Sequence, residues 1–163
     1  MPITIAVGRE RTEGERRVAL VPETAKKFAA LGVDVRVEQG AGLSSNFLDS
    51  DYANVTVAGS QGETYQNAQI MMRVTPPSLE EIEQMPQGAV LIGLLKPYES
   101  KERLAALNAR QITAFALELL PRISRAQSMD ALSSQGACSG YQCALIGASH
   151  SAKFFPMLTT AAG

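Results

Sequence analysis

ITAFALELLPRISRAQSMDALSSQ, residues 112–135, is the stretch whose reading decides the fold. Ile112 to Leu117 is an apolar run of strand length. Helix-like sequence begins near Met129, and the junction between them is polar: Pro121-Arg122-Ile123-Ser124-Arg125-Ala126-Gln127-Ser128. A strand that passes through a polar elbow into a helix is the repeating unit of open α/β sheets, and ligands gather at such elbows. Two guanidinium groups, the Asp130 carboxylate, two glutamine amides and several serine hydroxyls crowd this one. A helix cap with a local Arg–Asp pair would also use serine and aspartate here. The convergent donors and acceptors exceed what one cap requires.

The preceding chain repeats the pattern. Ile3 to Val7 reads as the first strand, and Val33, Val35 and Val37 alternate with polar residues as the second. A brief third strand is expected at Val55 to Val57, after a short helix near Ser50 to Ala53. Gln69 to Val74 and Ala89 to Leu95 are apolar runs that suggest strands buried on both faces. Helices are expected at Pro22 to Leu31, with Phe28 and Leu31 on the inner face, and at Gln61 to Asn67 and Leu79 to Met85. Another is expected at Ser100 to Arg110, capped by Ser100. Met129 to about His150 reads as one long helix, weakened by Gly136, Gly140 and Gly147, which allow another backbone close. Strands alternating with helices over short connections predict an α/β fold with a doubly wound, mostly parallel sheet.

Bulk properties remove several functions. The 163 residues carry a formal net charge of -1, so no basic footprint for nucleic acid exists. Cys138, Cys143 and the single His150 offer no zinc set, and His150 reads as a surface or capping residue near a helix C-terminus. The chain starts directly on a strand, so no signal peptide is expected. No apolar run reaches the ~18 residues of a membrane span.

Smaller motifs carry competing readings. Gly40-x-Gly42 follows a strand, but Ser45 stands at the third glycine position and no acidic residue occupies 60 to 62. It reads as a plain turn rather than a dinucleotide fingerprint. The charged loop Arg9 to Arg17 is long for a compact domain, and long ordered loops tend to be functional. Glu15-Arg16-Arg17-Val18-Ala19 reads as a solvated charged loop; alternatively Arg17, beside Val18 and Ala19, points into a cleft, where its fork would suit a carboxylate or phosphate. Lys96, at the end of the fifth strand, could face the same cleft.

Residues 121 to 135 closely resemble the nicotinamide-site loop of the alpha component of proton-translocating NAD(P) transhydrogenases. Supporting matches are Glu15-x-Arg17-Val18-Ala19, the Val37 to Gly42 turn, Gly140-Tyr141, and the Phe154-Phe155-Pro156-Met157 to Gly163 tail. The resemblance implies a flavodoxin-like N-terminal domain over 1–127. Residues 128–163 would then form a long connecting helix and the start of a linker to a Rossmann NAD-binding domain outside this sequence. It also implies roles: Arg122, Gln127, Asp130 and Ser133 line the nicotinamide and ribose of NAD(H). Arg122 and Asp130 brace each other, and Gln127 bridges toward NADP(H) on a partner subunit. Gln127 and Asp130 are the expected catalytic positions. Membrane and NADP-binding components, a homodimer, and a place on the cytoplasmic side of the bacterial inner membrane are implied as well. The family usually has proline where Gly8 stands.

Alanine dehydrogenase is a relative sharing this domain. It resembles the chain at Arg17, where an arginine holds the substrate carboxylate. Its catalytic lysine and histidine would fall near Thr75 and Lys96, and neither residue type is present there. Oxidative deamination moves protons and needs acid–base groups. Hydride exchange between two nicotinamides needs only alignment and exclusion of water. The transhydrogenase reading therefore leads. An alanine-dehydrogenase-like oxidoreductase and a non-catalytic α/β dimerisation module are the alternatives.

Overall fold

The computed structural model describes residues 2–153. The 154–158 apolar patch and the tail that follows it lie outside the described residues. The chain divides into two compact units, one ending at Leu119 and one starting at Leu120.

The first unit is a six-stranded, all-parallel sheet in the order β3-β2-β1-β4-β5-β6. The strands are β1 (Thr4–Val7), β2 (Asp34–Glu38), β3 (Thr56–Ala58), β4 (Ile70–Met72), β5 (Val90–Gly93) and β6 (Thr113–Ala116). The connecting helices are α1 (Pro22–Ala30), α2 (Gln61–Tyr65), α3 (Leu79–Gln84) and α4 (Lys101–Ala109). Without the three-residue edge strand β3, the order is that of the flavodoxin-like class. The doubly wound α/β expectation is met.

Alternation along the strands splits the core in two. Ile5, Val7, Val35 and Val37 pack with Leu20, Ala25 and Tyr52 on one face. Ala6, Met71 and Leu91 pack with Tyr65, Ile82, Met85 and Leu107 on the other. Central β1 is buried throughout. Pro22 opens α1, where its missing N–H costs nothing. Ser78 and Ser100 accept from the backbone N–H three residues on, as N-caps do.

Several details depart from the sequence reading. Phe28 packs against the core, but Leu31 is 77% exposed, because α1 ends at Ala30 and the chain has turned away. The short helix after β2 is a single 3-10 turn at Asp49–Asp51. The turn at Gly40 and Gly42 leads only into another 3-10 turn, Leu43–Ser45, so no helix N-terminus stands where a pyrophosphate would need one.

The second unit holds the elbow and α5 (Ala131–His150). α5 is unbroken, and it is exposed from Leu132 onward. Beside Gly136, Gly140 and Gly147 the space is open rather than filled by another backbone. No helix among the described residues is long and apolar enough to cross a membrane.

Candidate functional site

The elbow is built by a proline stop, a six-residue 3-10 turn at Ser124–Met129, and the N-terminus of α5. Ala126 is its buried anchor. Around that anchor the backbone curls into a concavity of about 260 Å³. Pro121, Arg122, Ile123, Gln127 and Asp130 are among the residues that line it. The structure thus brings together three of the four residues expected at this site. The fourth, Ser133, is tied to it through Asp130.

That tie is specific. Asp130 is the N-cap of α5, accepting from the Ser133 N–H at 2.9 Å and from the Ser133 hydroxyl at 2.6 Å. The Ser133 hydroxyl and N–H hold the Asp130 carboxyl below the usual carboxylate range, with a smaller contribution from the Arg122 charge. The capping reading of this stretch is therefore real, and it coexists with the concavity. Arg122 acts on Asp130 through its charge, whereas the hydrogen bonds to Asp130 come from Ser133.

Arg17 and Lys96 have partners of their own. Arg17 donates from Nε and Nη2 to the two Glu15 oxygens at 2.8 and 2.6 Å. That two-pronged pair raises the Arg17 pKa and lowers that of Glu15. Lys96 takes a left-handed backbone at φ 47°, donates its N–H to Glu118, and sends its ammonium to Glu99 at 3.3 Å. His150 closes on the Ile146 carbonyl at the helix end, as a cap would.

Sequence reasoning missed a second polar cluster. β1 and β4 are neighbours whose following connections leave in opposite directions, which is the switch point of the sheet. Arg73, one residue past β4, is buried there between Glu10 and Glu81, at 3.3 and 2.6 Å. Glu81 also closes the α3 capping box and accepts from Gln61. Arg11 adds a pair to Glu38 at 2.6 Å. Gly8 abuts the same cluster: a Cβ there would lie 2.6 Å from the Tyr65 hydroxyl, which accepts from Arg73. The signal was a basic residue ending an otherwise apolar central strand, which demands buried partners. Among the described residues, no group of three or more His, Cys, Asp or Glu could hold a metal ion.

Comparison with known proteins follows the same lines. The family described as "Alanine dehydrogenase/PNT, N-terminal domain" matches residues 6–139. The chain belongs to that family. It is 42% identical over 166 aligned positions to an NAD(P) transhydrogenase subunit alpha polypeptide of Rhodospirillum rubrum, covering 98% of this chain and 43% of that protein. A solved transhydrogenase from Sinorhizobium meliloti superposes with a TM-score of 0.88 at 40% identity, covering 98% of this chain and 48% of that one. An alanine dehydrogenase of Methanococcus maripaludis is a more distant relative, 28% identical over 148 positions, covering 90% of this chain and 39% of that protein. The chain thus spans under half the length of the transhydrogenase relatives it matches.

Proposed function

We propose that this chain is the N-terminal portion of the NAD(H)-side component of a proton-translocating NAD(P) transhydrogenase, and that its elbow positions the nicotinamide ring. The observation that carries the reading is the concavity at Arg122, Gln127 and Asp130. Its volume, about 260 Å³, falls below the roughly 300–1,000 Å³ of pockets that enclose a whole drug-sized ligand. It suits one ring and a portion of a ribose, with the rest of the dinucleotide held by polypeptide outside this sequence.

The donor set fits that ring. The Arg122 guanidinium and the Gln127 amide can hydrogen-bond a carboxamide, and Asp130 can accept from a ribose hydroxyl. Asp130 stays ionised and fixed because Ser133 holds both of its oxygens. When bound, NAD(H) supplies the hydride. The protein side chains bind, orient and exclude water, and none has to move a proton. NADP(H) would be presented by a partner subunit, with Gln127 nearest to it. A homodimer, docked on the cytoplasmic side of an inner-membrane proton channel, completes the proposal.

The test is Gln127→Asn in the reconstituted full enzyme. Hydride transfer should fall at least tenfold with NADH affinity within about twofold, because a shortened amide misplaces the ring without removing most of the binding surface. An unchanged rate would remove Gln127 from the site. Pyruvate-dependent oxidation of NADH by the full-length protein would overturn the transhydrogenase reading in favour of alanine dehydrogenase.

A further inference from the structure

The Glu10 carboxylate collects more donors than an ordinary ion pair. It accepts from the Val74 N–H at 2.6 Å, the Thr75 N–H at 3.1 Å, the Thr75 hydroxyl, and Arg73 Nη2 at 3.3 Å. Two successive backbone N–H groups with a hydroxyl and a guanidinium form the kind of concavity that binds free anions. The pair is deep: the Arg73 and Glu10 side chains are 1% and 3% exposed. Arg73 Nε is the buried side-chain atom that finds no partner among the described residues.

We propose that the C-terminal end of β4 is an anion cradle whose resident ligand is the chain's own Glu10, a tethered carboxylate that fixes the loop after β1. The arginine of the cradle is set by the sheet and not by Glu10. Arg73 N–H donates to the Ile92 carbonyl at 2.9 Å, continuing the β4–β5 pairing. Gly93 lets the backbone of Arg73 approach so closely that a Cβ there would collide with the Arg73 carbonyl oxygen. Glu81 and Gln61 hold the far side of the cluster. Removal of Glu10 therefore leaves Arg73 in place, with Val74 and Thr75 directly after it in the chain. The ligand class that fits the vacated volume is a small monocarboxylate, with formate or acetate as probes. The loop is the dependent element, and its Thr12 hydroxyl also donates to the Thr75 hydroxyl oxygen at 3.0 Å. This site lies in the first unit and stands independently of the nicotinamide reading.

The experiment is chemical rescue of Glu10→Ala. Its thermal midpoint should fall below that of the unaltered protein. It should then recover saturably with sodium formate but not with sodium chloride at equal ionic strength. The unaltered protein and Glu10→Ala/Arg73→Met should show at least tenfold weaker formate dependence. Equal responses to formate in all three would overturn the proposal. If Glu10→Ala does not fold, amide exchange in the unaltered protein decides. Val74 and Thr75 should exchange at least tenfold more slowly than the exposed amides of the loop, and exchange at the loop rate would overturn it.

Discussion

The two polar clusters of this molecule use the same chemistry in opposite ways. At the switch point, Arg73 is buried and closed in by Glu10, Glu81 and Tyr65. At the elbow, Arg122 is exposed beside a concavity and its neighbour Asp130 is held by a serine. An arginine whose hydrogen bonds are made internally stabilises a fold. One that faces an open concavity is available to a ligand. The contrast also explains why the crevice where open α/β sheets usually bind ligands is a poor candidate here: the protein's own side chains fill it.

The largest expected effect comes from breaking the closed cluster. Arg73→Ala should cost about 3–5 kcal/mol, because it leaves Glu10 and Glu81 buried without a counter-charge. Arg122→Ala should change stability by no more than about 0.5 kcal/mol while lowering hydride transfer in the full enzyme. Denaturant titration of both variants checks this, and similar losses would erase the distinction between the clusters.

Gly8→Ala should cost about 1–3 kcal/mol by overpacking against the Tyr65 hydroxyl. Adding Tyr65→Phe removes the oxygen that a Cβ would meet at 2.6 Å and should recover much of that loss. A double-mutant cycle with no coupling would refute the contact as the reason for glycine at this position.

Acid should act next. Burial opposes ionisation of Glu81, but hydrogen bonds from Arg73 and the Ser78 N–H outweigh it and hold its pKa below the ordinary value of 4.5. A carboxyl depressed in the folded state contributes its stability above the unfolded pKa and loses it as pH falls through the folded one. Stability should therefore be flat at neutral pH and fall below about pH 4.5. Glu81→Gln should start less stable and show a shallower acid limb, measured by thermal midpoints from about pH 7 down to about pH 3.

The smallest effect is expected at the elbow. Asp130→Ala should fray the first turn of α5 and leave the melting of the sheet unchanged, read by amide exchange at Ser133. Loss of sheet stability would mean that the cap does more than its hydrogen bonds imply.

Much of this was legible in the sequence. Alternating Val35 and Val37, apolar Leu91, and the cap Ser100 are local signals, and local signals survive folding. The elbow was legible because its residues are close in sequence, so its concavity forms within about ten positions. Leu31 misled because apolar spacing does not report where a helix stops relative to the core. Arg73 was hidden inside a run that reads as apolar, since its partners lie 63 and 8 positions away.

Sequence alone determined the parallel α/β class, the family likeness and the polar elbow, because strand and helix periods and contiguous motifs are properties of neighbouring residues. Only the tertiary structure decided that Glu10 lands on the end of β4, that Gly8 sits against Tyr65, and that Arg11 is matched by Glu38. Charges find partners by distance in space, and the sheet order that sets those distances is written in no single segment.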